Sequence, residues 1–384
     1  MDYAGRAPIA RIGIFFLSFG LDVFAGMENS LYNLALGLVE NGAEIHVYTG
    51  CLCGTEERIG EVQIYRSRLL PAELPNGDHT VRCVLTQNAS SISAEIREFV
   101  QGRRITYSYV CDPLWGIVQL TGAWKHIDIP MTLSLRVLNT DDLLTQAHNI
   151  PYALYTAVSN YLREQILSRV RLGNIQVVPN SINVERFCPH PQNGTPKDTP
   201  VIFCNARISP EKGIIYLVQG FADVLKVFPK AELWLCGGSF PFSSNIDLQP
   251  YTCQVQRTIA DLGIANRVRV LPQLRWSEIP NLVRAATIVV VPSLQETFGR
   301  AALEAMACGK PVVVTEAGNL PFLVQDAGIV VTPGSAVALS NAIIRILHDD
   351  ELYAALSSRG PSIASNFSNR LVAHKLLKCI QALR

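Results

Sequence analysis

Short apolar runs alternate with amphipathic segments along almost the whole chain of 384 residues. The runs at 201–206, 231–236 and 287–291 are nearly continuous and do not alternate with polar residues. Strands of a parallel sheet have this pattern, because helices bury both faces of the sheet. We therefore predict an α/β fold built from parallel sheets with helices on both sides.

The alternating pattern occurs twice, which indicates two domains. A stretch rich in Pro, Asn, Gly and Thr at 187–200 separates the two sets, and the chain is longer than one ordinary core needs. We expect a Rossmann-like, doubly wound domain at 1–186 and another at 187–366. Ligands would bind at the carboxyl ends of the strands, in a cleft between the domains. The last helix, 367–384, is expected to pack back on the first domain.

Composition narrows the function classes. Hydrophobic residues make up 48% of the chain and charged residues 17%, which favours large buried sheets. The net charge of +1 gives no bulk electrostatic case for binding nucleic acid. The ten cysteines are scattered, with Cys51 and Cys53 as the one close pair, so we expect reduced thiols in a cytoplasmic protein.

No transmembrane segment is expected. The apolar stretch at 12–23 contains Asp22 and is shorter than the roughly 20 residues that span a bilayer. We interpret it as a buried first strand. A local basic patch that contacts a membrane surface stays open.

Two glutamates flank the start of a predicted helix. The apolar strand 287–291 leads into a loop, then into a helix at 301–308 that Gly309 ends. Glu296 precedes the helix, and Glu304 follows seven intervening residues later. Both therefore lie near the carboxyl end of one buried strand.

These glutamates have a simple and a functional interpretation. Glu296 could be a charge that the helix dipole favours, and Glu304 an ordinary helix-surface residue. Alternatively, both carboxylates accept hydrogen bonds from sugar hydroxyls. Thr297, Phe298 and Gly299 would then present backbone amides to a phosphate.

A basic loop follows the first strand of the second half. It contains Arg207 and Lys212 and ends at Gly213, where a helix starts. Arginine binds phosphate through two hydrogen bonds, lysine acts as a point charge, and a helix start attracts anions. A solvated loop in which Glu211 pairs with a cation is the alternative. With the two glutamates, this loop suits a ligand that carries phosphates and hydroxyls.

Together these segments resemble the GT-B-fold retaining glycosyltransferases of family 4, the glycogen synthase and sucrose synthase relatives. The resemblance covers nearly the whole chain and is most specific between Val177 and Val314. The matching pieces are Arg207-x4-Lys212-Gly213, Glu296-x7-Glu304, the run 305–313, Gly26-Met27-Glu28, and the strand ends 157–160 and 177–180.

The resemblance implies a role for each site residue. Arg207 and Lys212 would hold the donor diphosphate, Glu304 the nucleotide ribose and Glu296 the transferred sugar. Gly26 would let the first loop approach the phosphates. Arg207, Lys212 and Glu296 are the expected catalytic residues. The donor would be a UDP-sugar or GDP-sugar, the acceptor an unidentified hydroxyl, and transfer would retain the anomeric configuration.

Three departures from the family pattern concern the acceptor side. Asn180-Ser-Ile-Asn183 stands where Asn-Gly-Val-Asp is usual, and Arg136 stands near the place of a usual histidine. The usual doubled glycine is single, at Gly26. No Asp-x-Asp motif occurs, so we expect no cofactor and no essential metal.

Two other functions stay open from the sequence. A nucleotide-sugar epimerase shares the architecture, and a non-catalytic module could keep the nucleotide-sugar site without turnover. Incubation with nucleotide sugars separates them, because transfer needs an acceptor, epimerisation does not, and a binding module forms no product.

Overall fold

The computed structural model describes residues 10–19, 26–50, 57–70, 78–111, 116–138, 141–173, 175–190, 199–237, 249–272 and 274–383. These residues form two compact units. The first contains the described parts of Met1–Ser181 and Asn369–Arg384, and the second those of Ile182–Pro241 and Ile246–Ser368. Both are α/β units with parallel sheets, which confirms the predicted fold class.

The first unit has a mostly parallel sheet, and helices connect most of its successive strands. Its described strands pair in the order β3-β4-β2-β1-β5-β6-β7-β8, and β3 is antiparallel to β4. Along the chain its elements are β1 Arg11–Phe15, α1 Gly26–Glu40, β2 Glu44–Thr49, β3 Arg58–Ile59, β4 Val62–Arg66, α2 Asp78–Gln87, α3 Ala89–Gly102, β5 Tyr107–Cys111, α4 Ile117–Leu120, β6 Met131–Leu135, α5 Asp141–His148, β7 Leu154–Ala157, α6 Asn160–Leu167 and β8 Ile175–Val177.

The second unit repeats the design. Its elements are β9 Val201–Asn205, α7 Ile214–Val227, β10 Glu232–Cys236, α8 Gln249–Asp261, β11 Val268–Leu271, α9 Ile279–Ala285, β12 Ile288–Val291, α10 Arg300–Ala307, β13 Val312–Thr315, α11 Leu320–Val324, β14 Gly328–Val331, α12 Ala336–His348 and α13 Asp350–Ser365. A final helix, α14 Asn369–Gln381, belongs to the first unit.

The order of strands in the second sheet positions the candidate site. The described strands pair as β11-β10-β9-β12-β13-β14, all parallel. Numbered along the chain within this sheet, the order is 3-2-1-4-5-6, in which the connections change direction between β9 and β12. Ligands of doubly wound sheets bind at such a point, beyond the carboxyl ends of the strands.

Helix α14 completes the core of the first unit. Leu376 and Ile380 are buried in the same apolar cluster as Leu34 of α1. The Asn41 side chain, just after α1, donates to a backbone carbonyl oxygen at the start of α14 at 2.9 Å. Burial of one apolar face explains why this amphipathic segment is helical.

Several local predictions agree with the structure, and one helix is longer than expected. The sequence predicts that Ser159, at the end of a strand, caps the helix that follows, and its Oγ accepts from the Leu162 N–H at 3.0 Å. The sequence suggests only a surface or loop acid at Asp349, and in the structure this residue caps α13 by accepting from the Leu352 N–H at 2.8 Å. The sequence predicts a helix over 351–358, but α13 spans Asp350–Ser365.

Candidate functional site

The loop after β9 and the loop after β12 lie against each other because these strands are neighbours. The N–H groups of Leu294 and Gln295 donate to the Glu211 carbonyl oxygen at 2.8 and 3.3 Å. Gly213 has a φ of +63°, and a Cβ there would lie 2.2 Å from the carbonyl oxygen of Pro292. Only glycine permits this approach. The fold therefore brings together the basic and acidic segments that the sequence singled out.

Lys212 and Glu296 form a largely buried ion pair. Lys212 Nζ donates to Glu296 Oε2 at 2.8 Å, and 19% and 17% of the two side chains are exposed. Burial raises the pKa of Glu296, but the Lys212 ammonium and the N–H groups of Phe298 and Thr297 outweigh it and hold this pKa below its usual value. Glu296 is therefore ionised at neutral pH, and its negative charge is paired with the positive charge of Lys212.

Arg207 is held more loosely. Its Nη2 lies 3.2 Å from Glu211 Oε1, with 38% and 37% of the side chains exposed. The Ser209 hydroxyl donates to the same carboxylate oxygen at 2.6 Å. The simpler interpretation of the loop, in which Glu211 pairs with a cation, is thus present in the structure. An exposed pair contributes only about 0–1 kcal/mol, so Arg207 can exchange Glu211 for a phosphate at little cost.

Glu304 faces the interior of the second unit. Only 5% of the residue is exposed, so its interpretation as an ordinary helix-surface residue is wrong. Arg300, one helical turn earlier, donates from Nη2 to Glu304 Oε1 at 2.8 Å. Burial raises the pKa of Glu304, and the charge of Arg300 offsets only part of this. A buried carboxylate of this kind gains from additional hydrogen-bond donors.

Two neighbours of Glu304 were missed in the sequence, Arg300 and Trp276. The Trp276 indole N–H lies close enough to lower the Glu304 pKa, without a hydrogen bond of standard geometry. Trp276 is packed under the Arg186 guanidinium, 4.5 Å from the ring centroid, and against the Phe187 ring at 5.7 Å. The four-residue spacing could have revealed Arg300. Trp276 has no local signal, because it comes from the loop after β11.

The loop that carries Glu296 is braced from behind. The Asn319 N–H donates to the Glu296 carbonyl oxygen at 3.2 Å, and its side-chain amide donates to the Phe298 carbonyl oxygen at 3.0 Å. Gly299, with a φ of +105°, turns the chain into α10. The N–H groups of Thr297 and Phe298 serve the Glu296 carboxylate. A contact of Thr297, Phe298 or Gly299 with phosphate stays a prediction.

Gly26 is the one predicted site residue in the first unit. It is exposed and is the first residue of α1. Residues 20–25, which precede it in the predicted loop, lie outside the described residues. Two positions later, the buried Glu28 accepts from the Ser18 hydroxyl at 2.6 Å. The expected approach of Gly26 to phosphate stays a prediction.

Arg136 lies near the place where the family pattern has a histidine. It is buried in the first unit and donates hydrogen bonds to several elements. Its Nη1 donates to Ser30 Oγ and to Asn180 Oδ1, both at 2.8 Å. Its Nη2 donates to Tyr109 Oη at 3.2 Å. The residue thus ties the end of β6 to α1 and to the segment that begins with Asn180.

The sequence predicts neither a metal site nor a transmembrane segment. Within the described ranges, no three His, Cys, Asp or Glu residues are grouped so that they could hold a metal ion. No helix in those ranges combines the length and apolar character needed to cross a bilayer. The cysteines in those ranges are free thiols, and the pair Cys51 and Cys53 lies outside them. Independence from metals and cofactors stays a prediction.

Sequence comparison finds a family and named relatives. The model of the glycosyl transferases group 1 family matches residues 189–362. The D-inositol 3-phosphate glycosyltransferase of Corynebacterium glutamicum is 31% identical over 388 residues, which cover 91% of this chain and 90% of that protein. The enzyme of the same name from Corynebacterium jeikeium is 35% identical over 222 residues. That match covers 54% of this chain and 52% of the relative, so the chain spans about half the length of several relatives that it matches.

Solved structures share the fold. Sucrose-phosphate synthase from Thermosynechococcus elongatus has a TM-score of 0.81 at 20% identity, over 97% of this chain and 99% of that one. The Anabaena HepE protein in complex with UDP-glucose has a TM-score of 0.77 at 21% identity, over 97% of this chain and 100% of that one. At these identities the likeness shows the fold alone.

Proposed function

This chain belongs to the glycosyl transferases of group 1, and we propose that it transfers a sugar from a nucleotide-diphosphate donor to an acceptor hydroxyl. One observation carries the proposal. The Lys212–Glu296 ion pair, with Arg207 in the same loop as Lys212, lies where the connections of a doubly wound sheet change direction. Arg207 and Lys212 can thus bind a diphosphate at the same place where Glu296 can accept hydrogen bonds from sugar hydroxyls.

The cations stabilise the leaving group. Arg207 binds the donor diphosphate through two hydrogen bonds, and Lys212 contributes a point charge. As the bond from the sugar to the diphosphate breaks, negative charge grows on the phosphate oxygens, and the two cations neutralise it. Loss of one such preorganised group typically costs about 10²–10³ in rate.

The carboxylates position the rest of the donor. Glu304 accepts hydrogen bonds from the ribose hydroxyls. Burial separates this carboxylate from water, and the ribose hydroxyls replace the hydrogen-bond donors that water would supply. Glu296 accepts hydrogen bonds from hydroxyls of the transferred sugar. Lys212 fixes the orientation of the Glu296 carboxylate, so the sugar and the diphosphate are held by one connected set of charges.

We infer that transfer retains the anomeric configuration. Glu296 is a weak general base, because its pKa lies below the usual range. The leaving phosphate oxygen can take the acceptor proton instead. The C1–O bond to the diphosphate then breaks, the C1–O bond to the acceptor forms on the same face, and the proton passes to the diphosphate. No protein base is needed for this balance.

The comparisons suggest which substrates to test first. HepE was solved with UDP-glucose, so UDP-sugars are the first donors to test and GDP-sugars the second. Several relatives are named for D-inositol 3-phosphate, which makes it the first acceptor. Neither the donors nor the acceptor chosen for the first test requires the protein to contact a membrane surface.

Incubation of the purified chain with radiolabelled UDP-sugars and GDP-sugars, with and without D-inositol 3-phosphate and other polyols, tests the function. A labelled product that appears only with an acceptor supports transfer. A new nucleotide sugar without an acceptor indicates the epimerase, and donor binding without any product indicates a non-catalytic module. Proton NMR of the product from an α-linked donor should show an α linkage, and a β linkage would contradict retention.

A pair of arginine variants separates the site from general charge effects. Arg207→Ala should lower kcat by about 10²–10³. Arg257→Ala removes an exposed arginine of α8 in the same unit and should leave kcat unchanged. Equal activity of the two variants would exclude Arg207 from the diphosphate site.

A further inference from the structure

A polar cavity lies in the first unit, between α3 and the segment around α4. Its volume is about 380 Å³, within the range of roughly 300–1,000 Å³ that small-molecule pockets occupy. None of the residues assigned above lines it. The polar residues of its lining can all donate hydrogen bonds, and none is acidic: Ser90, Ser93, Arg97, Thr121, Lys125 and His126.

The basic side chains of this cavity are not neutralised within the described part of the chain. Arg97, Lys125 and His126 form no ion pair with any residue that the structure describes. Lys125 Nζ lies 5.6 Å from the centroid of the Trp124 ring, a contact that does not neutralise its charge. Two exposed cationic side chains, Arg97 and Lys125, that border one cavity without a carboxylate give it a positive potential, which favours an anion.

A buried hydroxyl lies behind the wall of the cavity. Ser93 is only 7% exposed, and its Oγ has no hydrogen-bond partner among the described residues. Buried hydroxyls are normally paired, and a serine in a helix can usually bond to a carbonyl one turn earlier. The Ser93 Oγ is itself almost inaccessible, so the exposed groups of the lining, and not this hydroxyl, contact a ligand. Thr121, by contrast, already donates to the Ile117 carbonyl oxygen.

We propose that this cavity binds a phosphomonoester that carries hydroxyl groups. At neutral pH a phosphomonoester has a charge between about −1.5 and −2 and three acceptor oxygens, which match Arg97, Lys125 and His126. The guanidinium of Arg97 binds two phosphate oxygens, and Lys125 adds a point charge. A bare phosphate would leave much of the cavity empty. The hydroxyl-bearing body therefore fills the remainder and contacts the exposed Ser90.

Both a soluble sugar phosphate and a lipid headgroup carry this chemistry, and calorimetry on the full chain distinguishes them. Glucose 6-phosphate is the soluble probe, with glucose as its neutral match. Phosphatidylcholine vesicles with and without phosphatidic acid are the lipid probe. Each titration uses the wild type, an Arg97→Ala/Lys125→Ala variant, and a control Arg58→Ala/Lys375→Ala variant. The control removes the same charge from exposed positions of the first unit.

The proposal predicts that the wild type and the control variant bind one of the two phosphomonoester probes and not its neutral match. Arg97→Ala/Lys125→Ala should weaken this binding at least about tenfold, because each lost charge-assisted hydrogen bond has an effect of that size. Ser90→Ala, which removes an exposed hydroxyl of the lining, should weaken it about threefold, because one hydrogen bond to the ligand is lost.

Three results would overturn the proposal. They are no binding of either probe, equal binding by wild type and Arg97→Ala/Lys125→Ala, or an equal loss in the control variant, which indicates a general charge effect. The proposed transferase activity does not enter any of these measurements, so the two proposals succeed or fail separately.

Discussion

Replacing Lys212 with methionine leaves the Glu296 carboxylate mostly buried beside an uncharged side chain. At 2.8 Å and an effective dielectric constant of about 20, the attraction between the two charges is about 6 kcal/mol, and desolvation of both groups offsets most of it. Removal of one partner from a fully buried pair costs about 3–5 kcal/mol. Since about a fifth of each side chain is exposed, we expect Lys212→Met to lower the free energy of unfolding by about 2–3 kcal/mol.

A double-mutant cycle isolates the pair. Glu296→Gln alone should cost about 1–2 kcal/mol. The double variant should be more stable than the sum of the single losses predicts, with a coupling energy of about 1–2 kcal/mol. Urea unfolding followed by tryptophan fluorescence measures this, because two of the four tryptophans, Trp234 and Trp276, lie in the second unit.

The coupling should also depend on pH. The folded pKa of Glu296 is lowered, so its contribution is complete above the unfolded pKa of about 4.3 and disappears as the pH falls through the folded pKa. The coupling energy should therefore be constant from pH 7 to about pH 5 and decrease in more acidic solution.

Lys226 and Asp223 of α7 provide the matched control. Their atoms lie 2.7 Å apart, but 76% and 43% of the side chains are exposed. The same cycle there should give a coupling of about 0–0.5 kcal/mol. A coupling for Lys212 and Glu296 that does not exceed this control would refute the assignment of a functional, largely buried ion pair.

Three further predictions follow from the same unit. Burial raises the pKa of Glu304, so ionisation of this carboxyl destabilises the folded protein as the pH rises above about 4.3. Thermal unfolding at pH 7 should therefore find Glu304→Gln at least as stable as the wild type. Calorimetry should nevertheless show that this variant binds UDP about tenfold more weakly. Gly213→Ala should lower the free energy of unfolding by at least about 3 kcal/mol, and Gly263→Ala by about 1–2 kcal/mol. Both glycines have a positive φ, but of the two only Gly213 has an atom within 4 Å of the added Cβ. Equal losses would contradict the close approach of the two loops. Arg207→Ala should change the free energy of unfolding by less than about 1 kcal/mol in urea, because its ion pair is exposed, and a larger loss would mean that its main role is structural.

Elements with a strong local signal could be predicted from the sequence. The sequence predicts a strand over 44–49, and β2 spans Glu44–Thr49; α10, predicted over 301–308, spans Arg300–Ala307. The helix after Ser159 is capped as expected. These features depend on residues a few positions apart, so a short window of sequence contains the interactions that decide them.

The end of α13 could not be predicted in this way. Gly360 and Pro361 normally indicate the end of a helix, yet both lie inside α13. A Cβ at Gly360 would lie 2.7 Å from the Met306 carbonyl oxygen of α10, so glycine here permits two helices to approach closely. Tertiary packing explains the glycine, and the sequence signal alone suggested a helix stop.

The sequence by itself determined the α/β fold class, the approximate bounds of many elements and the charged residues of the candidate site. Only the tertiary structure decided which charges meet. Lys212 and Glu296 are 84 positions apart and form an ion pair because β9 and β12 are adjacent. The same packing buries Glu304 and places Trp276 beside it. Strand order and burial arise from many weak contacts between distant segments, and no local pattern in the sequence contains that sum.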